Sequence, residues 1–347
     1  MKLFIQIPCY NEEKTLPYVI KDLPRTIEGI EQIHTLIIDD GSTDKTFETA
    51  CRLGVDYIIK HNKNLGLSKS YINGLDACLF FGADLIVNLD GDNQYRAQDI
   101  PEMVKTLISE KADIVIGCRD IKNHKEFSFF KKCLQIIGSK FVSAISGLNV
   151  PDVTSGFRVI TRDVAIRLFS MNKFSYTLET LIQAGRNDLL VRTLQIGVNP
   201  QTRKSRLARS NLDFVFKQLK VIFISYLHYA PMTFFMALSI MCFLISFISA
   251  ARIIYFLFFL PPVLLKFKIG TGILFLFSSL AALIFLSIGL ISSVLSSQRF
   301  VIYDMRNRMR LAEIRSGIKP ESLKIFISDI LFSWQPNKNT GYKILEH

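Results

Sequence analysis

The chain has 347 residues, 49% of them hydrophobic, and a formal net charge of +12 at pH 7. That apolar content is high for a purely water-soluble protein. The basic excess accompanies no nucleic-acid-binding motif, so lipid headgroups rather than nucleic acid are its expected anionic contact. Six cysteines, Cys9, Cys51, Cys78, Cys118, Cys133 and Cys242, stand at scattered spacings without a CxxC pair, which fits a reduced compartment and argues against a zinc site.

The chain opens on an alternation of short aliphatic or β-branched runs with longer helical patterns. Runs at Leu3–Ile7, Thr35–Ile38, Val55–Ile59, Leu85–Leu89 and Ile114–Ile116 predict strands. The stretches Glu12–Leu23, Thr43–Leu53, Ser68–Phe81 and Gln98–Ser109 between them predict helices. This order predicts an α/β domain, residues 1–220, with a Rossmann-like, mostly parallel sheet covered on both faces. In such sheets ligands bind beyond the carboxyl ends of the strands.

That rule gathers three polar clusters into one crevice: Pro8-Cys9-Tyr10-Asn11-Glu12, Asp39-Asp40-Gly41-Ser42 and Asp90-Gly91-Asp92. Asp90 and Asp92, with the amide oxygens of Asn93 and Gln94 next in line, are hard ligands of the type Mg2+ or Mn2+ accepts. The same residues also suit an ordinary polar turn, as Asn11 and Ser42 suit helix starts. The first strand is followed by no glycine, which excludes a GxGxxG dinucleotide loop, and GxxxxGK[ST] is absent.

Further along, Phe127–Ile145 places Phe127, Phe129, Phe130, Leu134, Ile137, Phe141 and Ile145 among Lys131, Lys132 and Lys140. It reads as an interfacial amphipathic helix or as a helix packed on the sheet. Val221–Ala251 and Ile269–Gln298 then contain no Asp, Glu, Lys or Arg. Each exceeds the roughly 20 residues that cross a bilayer core, and we place two transmembrane helices at about 229–251 and 271–295 within a hairpin of residues 221–298. The linker holds Pro261-Pro262 and few charges, whereas Arg203, Lys204, Arg206, Arg209, Lys217 and Lys220 precede the pair and Arg299, Arg306, Arg308, Arg310 and Arg315 follow it. This bias places both termini in the cytoplasm of a cell (inner) membrane protein. No signal peptide is expected. Residues 299–347 are expected to form a basic cytoplasmic tail whose Ser322–Trp334 segment suits packing on the α/β domain or in a homo-oligomer.

Six motifs in order, Ile7-Pro8-Cys9-Tyr10-Asn11-Glu12, Asp39-Asp40-Gly41-Ser42-Thr43-Asp44, Asn64-Leu65-Gly66-Leu67, Asp90-Gly91-Asp92-Asn93-Gln94, Gly117-Cys118-Arg119 and Ser155-Gly156-Phe157-Arg158, resemble the family 2 glycosyltransferases of GT-A fold. The nearest branch contains dolichol-phosphate mannosyltransferases and bacterial polyprenyl-phosphate glucosyltransferases. The resemblance implies that Pro8, Tyr10, Asn11, Glu12, Asp39 and Asp40 bind the nucleotide of a nucleotide-sugar donor. It implies that Asp90, Asp92 and Gln94 hold Mg2+ or Mn2+, and that Asp92 and Arg119 are catalytic. Arg119, Lys132, Arg158, Arg203 and Lys204 would meet the acceptor phosphate, that of an undecaprenyl or dolichyl lipid. Asp152 and Glu179 also stand in family-like segments. Two departures are Ser68, where relatives carry a second glycine, and Ile136, where a serine usually follows the basic residue at Lys132.

The expected reaction is therefore an inverting, metal-dependent transfer of sugar from a nucleoside diphosphate, UDP ahead of GDP, to a polyprenyl phosphate. An anionic phosphate acceptor needs little help from a general base. Two alternatives stand beside it. A processive polysaccharide synthase would carry QxxRW, but the single tryptophan, Trp334, lies in Ser333-Trp334-Gln335-Pro336. A catalytically idle nucleotide-sugar sensor or scaffold would not need the metal triplet.

Overall fold

The computed structural model describes residues 1–120, 138–140, 142–143, 146–170, 176–200, 223–224, 227, 231–259 and 265–317. Lys132, Arg203 and Lys204, most of the 127–145 segment and the tail beyond residue 317 lie outside them.

Seven strands form one sheet in the order β3-β2-β1-β4-β6-β5-β7. They are β1 (Lys2–Cys9), β2 (Gln32–Asp39), β3 (Tyr57–Lys60), β4 (Leu85–Asn88), β5 (Ile114–Cys118), β6 (Arg158–Thr161) and β7 (Val191–Gln195). The helices of this unit are α1 (Leu16–Lys21), α2 (Thr46–Arg52), α3 (Leu67–Phe80), α4 (Ile100–Ser109), α5 (Arg162–Arg167) and α6 (Thr177–Arg186). Strands β1–β2, β1–β4, β2–β3 and β5–β7 pair in parallel, while β6 runs against both β4 and β5. Two reversals cancel, so β5 points the same way as β4. The carboxyl ends of β1, β2, β4 and β5 consequently open on one edge.

The central strands read as aliphatic runs because both their faces are covered. On one face Leu3, Ile5 and Ile7 of β1 join Ile37, Val87, Val115 and Val159 and receive Ile100, Met103, Val104 and Leu107 of α4. Those four follow the i, i+3, i+4, i+7 spacing of a single helix face. On the other, Phe4 stacks near Tyr57 and Phe81, with ring centroids 5.8 and 6.2 Å away. Gln6, on that same face, is a fully buried polar residue of a central strand, and its amide donates to Asn88 Oδ1 of β4 at 3.0 Å.

The chain divides into two compact units, Met1–Lys217 with Arg306–His347, and Gln218–Met305. The second holds α7 (Pro231–Phe259) and most of α8 (Leu265–Arg315). The segments Pro231–Phe259 and Ile269–Gln298 are long and apolar enough to cross a membrane, and only 11% and 17% of their most apolar windows is buried. Outward-facing Phe247, Phe258, Phe277 and Leu283 are more than 60% exposed, as expected of surfaces solvated by acyl chains rather than by protein. Where the helices meet, Ser239 Oγ donates to the Ala282 carbonyl at 2.8 Å, and a Cβ on Gly289 would lie 3.1 Å from that of Phe235. Small residues and a hydroxyl bond are the usual means of joining helices in a solvent that offers no hydrophobic drive.

Candidate active site

The register of β1 and β2 brings Cys9 opposite Asp39, and Leu89, just past β4, donates its N–H to Gln6 O at 3.0 Å. Three strand ends thereby deliver their polar clusters to one place. Cys9 records the convergence: burial pushes its thiol pKa well above the ordinary value, and Glu12, Asp39, Asp90 and Asp92 all add to the rise.

The loops are locked to one another. Asn11, at φ 58°, accepts from Thr43 N–H at 2.7 Å through its side chain and donates its N–H to Ser42 Oγ at 2.9 Å. Asn is among the few residues that occupy that left-handed region readily. Glu12 is buried, and its carboxylate accepts from the Thr15 hydroxyl at 2.7 Å. Tyr10 is 39% exposed at the rim. Gly41, at φ 68°, lies against the Lys63–Asn64 backbone so closely that a Cβ would come within 2.5 Å of Lys63 C.

The two aspartates after β2 have different employment. Asp40 is heavily engaged: Oδ1 meets His61 Nδ1 at 2.7 Å and accepts from Leu65 N–H at 2.9 Å, and Oδ2 accepts from Gly66 N–H at 2.9 Å. On the far side of His61, Asn73 Nδ2 lies 3.2 Å from Nε2. Asp39 keeps an oxygen to spare. Its Oδ1 accepts from Ser42 N–H at 3.0 Å, whereas Oδ2 is buried without a hydrogen-bond partner. Burial raises the Asp39 pKa against the lowering effect of Ser42. Asp40, expected at the nucleotide, also clamps the Leu65–Gly66 loop, while the fully buried Asp39 keeps one oxygen unpaired.

Asp90 has the same signature. Its Oδ1 is closed off from solvent with no hydrogen-bond partner. Burial, then the neighbouring Asp92, pushes its pKa up to about 7, while Arg119 pulls the other way. Two close carboxylates, one with an orphaned oxygen, form a site whose energy a divalent cation would lower. Asp92 Oδ1 accepts from Gln94 N–H at 3.2 Å. Asn199, just past β7, pins the turn by donating its N–H to Gln94 O at 3.0 Å. Among the described residues no three His, Cys, Asp or Glu side chains gather in ligand geometry.

Arg119 follows β5 at the same edge. Its Nε and Nη2 form a fork on Asp152, at 2.7 and 3.2 Å, and Nη2 also donates to Thr154 Oγ1 at 3.0 Å. The guanidinium carbon lies 5.6 Å from the Tyr95 ring centre. Burial opposes its charge, but Tyr95, Asp152 and Asp90 overcome this and hold its pKa above the ordinary value. Arg119 and Asp90 therefore interact electrostatically in one crevice.

Arg158 departs from the expected role at the acceptor phosphate. It is 2% exposed, and its donors go to Ser155 O at 3.0 Å, Thr180 Oγ1 at 2.7 Å and Thr177 O at 2.9 Å. It ties β6 to α6 and is spent on that task. Several supporting residues, all but Gly156 of them outside the sequence motifs, complete the site. Asn88 Nδ2 donates to Gly156 O and lies within bonding distance of Tyr176 Oη, both at 2.8 Å. Tyr95 Oη accepts from Gly156 N–H at 3.1 Å. A Cβ on Gly156 would lie 2.8 Å from Tyr176 Oη and 3.0 Å from Asp90 Oδ1, so this glycine makes room for the orphaned carboxylate. Their one sequence signal is a polar residue within an otherwise apolar run, as at Asn88.

A family model described as glycosyl transferase family 2 matches residues 4–169. The chain belongs to this family. The transferase is 29% identical over 210 residues to a UDP-N-acetylglucosamine–dolichyl-phosphate N-acetylglucosaminyltransferase of Methanococcus voltae, a match covering 54% of this chain and 81% of that one. It is 27% identical over 227 residues to an undecaprenyl-phosphate mannosyltransferase of Micrococcus luteus, covering 63% and 86%. Among solved structures it is similar to glucosyl-3-phosphoglycerate synthase of Mycobacterium tuberculosis in complex with Mn2+, UDP and glucosyl-3-phosphoglycerate, with a TM-score of 0.51, 17% identity and coverage of 66% and 80%. The shared feature at that identity is the GT-A fold.

Proposed function

We propose that this glycosyltransferase moves a sugar from a nucleoside diphosphate to a polyprenyl phosphate at the cytoplasmic membrane face, with inversion at the sugar carbon. The observation that carries the reading is the orphaned Asp90 Oδ1 beside Asp92, across the crevice from an Arg119 already braced by Asp152 and Thr154. A donor diphosphate and an acceptor phosphate are the two anions that this pairing of cation site and arginine suits. Relatives whose names specify dolichyl and undecaprenyl phosphate, and the two apolar helices, support a lipid acceptor.

Asp90, Asp92 and Gln94 would hold a divalent metal, Mg2+ or Mn2+, which supplies positive charge against the departing nucleoside diphosphate. Asp39 Oδ2 would accept from an imino N–H of the base, which uracil and guanine carry; UDP remains ahead of GDP. Pro8, Tyr10, Asn11 and Glu12 would complete the nucleotide site. Arg119 would orient the acceptor phosphate, since Asp152 and Thr154 fix its fork and leave Nη1 without a hydrogen bond among the described residues. That phosphate is anionic at neutral pH, so the pocket has no need of a base. The lipid-phosphate sugar formed would serve a later cell-envelope glycan or glycoconjugate step.

Purified full-length protein incubated with Mg2+ or Mn2+, radiolabelled UDP- and GDP-sugars and a polyprenyl phosphate is expected to yield solvent-extractable labelled lipid. Donor binding without labelled lipid, across the whole panel, would support a sensor and overturn this reading.

A further inference from the structure

The end of α8, from Arg306 onward, belongs to the catalytic unit. Arg310 there is 6% exposed. Its Nη1 donates to the carbonyl oxygens of Ala165, Ile166 and Leu168 at 3.0, 3.1 and 3.2 Å, and its Nη2 pairs with the carboxylate of Asp76. Carbonyls at the end of a helix such as α5 have no acceptor role inside it and need an outside donor when buried. One turn earlier, Arg306 places its guanidinium carbon 5.9 Å from the Phe169 ring centre.

Both pieces of chain that Arg310 touches lead to the active site. Asp76 lies on α3, which starts beside the Gly66 N–H held by Asp40. The same helix carries Asn73 to His61, and Tyr71 into a stack with Tyr176 at a centroid separation of 3.8 Å. The chain leaving α5 reaches Ser170, whose hydroxyl lies against Ser68 Oγ at the start of α3 and donates to Glu179 Oε2 of α6 at 2.7 Å. Arg310 thus sits where the support of the Leu65–Gly66 loop and the support of Glu179 come together.

We propose that Arg310 is a positioning residue of the transferase. Chain that follows the apolar helices returns into the catalytic domain, and its guanidinium locks α3 to the end of α5 so that the Asp40-held loop keeps its place beside the donor. The donor part of this statement rests on the proposed function; the lock itself does not. A planar guanidinium can share its two Nη1 hydrogens among the three carbonyls on one side and turn Nη2 to the carboxylate on the other, whereas an ammonium offers its three donors from a single point.

The test uses full-length R310A, R310K and D76N in detergent, with two readouts. In amide hydrogen exchange, R310A is expected to raise rates about tenfold in residues 66–80 and 162–170 while β1 and β4 keep their protection, with R310K and D76N in between. In transfer assays the donor KM of R310A is expected to rise about tenfold with kcat little changed, and R310K to recover part of the loss. Wild-type exchange and KM in R310A would overturn the proposal. So would exchange that rises throughout, β1 and β4 included, in R310A and R310K alike, since Arg310 would then merely hold up the fold. Should the wild type transfer no sugar, the reaction reading fails while the exchange pattern still decides the lock.

Discussion

Two sets of charged side chains around the crevice, an unpaired set termed the front and a bonded set termed the lower layer, use the same residue types in opposite ways. At the front, Asp90 and Asp39 each retain a buried oxygen with no hydrogen-bond partner. Beneath, Asp40 accepts from the His61 ring and two backbone N–H groups, and Arg158 gives its donors to Ser155, Thr177 and Thr180. An unsatisfied buried polar group costs roughly 1–3 kcal/mol. Carboxylate oxygens left unpaired past β2 and β4, on either side of β1, point to where a ligand belongs, whereas Asp40 and Arg158 nearby are bonded within the fold. Charges bonded within the fold support the scaffold, however closely they sit to the motif.

Substitutions at the two layers should separate function from stability. The largest effect is expected for Asp92→Asn at the front, which removes a charged metal ligand and should lower transfer by at least about 100-fold. Its thermal stability should be equal to the parent's or higher, because the substitution relieves repulsion with Asp90; a clear loss of stability would mean that Asp92 belongs to the scaffold. Arg158→Ala in the lower layer should reverse the pattern. It orphans several buried acceptors and should cost about 3 kcal/mol of folding stability, measured by thermal or denaturant unfolding. Retained stability with a selective rise in acceptor KM would instead return Arg158 to the acceptor site.

A smaller effect is expected for Asp39→Asn, which keeps the shape but offers an imino N–H a neutral acceptor. Donor affinity should fall about tenfold, the scale of one charge-assisted hydrogen bond, while acceptor KM stays put. Asp40→Asn should affect stability as well as donor binding, since three bonds converge on that carboxylate. If unfolding and binding assays gave the two aspartates the same profile, the distinction between front and scaffold would be lost. Ser239→Ala, in the apolar unit, is expected to be smallest, at about 0.6 kcal/mol of helix association, read as a shift in detergent melting.

Most of the sheet could be read from the chain because parallel strands buried on both faces appear as uninterrupted aliphatic runs, as in Leu85-Ile86-Val87. Strand β6 escaped that reading since it is four residues long and begins on a buried arginine. Strand β7 escaped it because an edge strand with exposed positions loses the apolar run. At the site, Asp90, Asp92 and Arg119 were legible through motif spacing. His61, Asn88 and Tyr176 were not. Their roles rest on bonds between distant stretches, such as Asn88 with Tyr176, 88 residues apart, and no local pattern marks them.

The sequence by itself determined the α/β alternation, the collection of carboxylates at parallel strand ends and two segments long enough to cross a bilayer, because side-chain hydropathy and strand polarity are local properties. Tertiary structure alone decided which oxygen of which aspartate stays unpaired. It also decided that Arg310, one of several arginines beyond the last apolar segment, is plugged into the catalytic domain 234 residues from Asp76. Hydrogen-bond satisfaction is a property of the packed neighbourhood. A residue type announces what it can bond, but only the folded chain shows what it has left to offer.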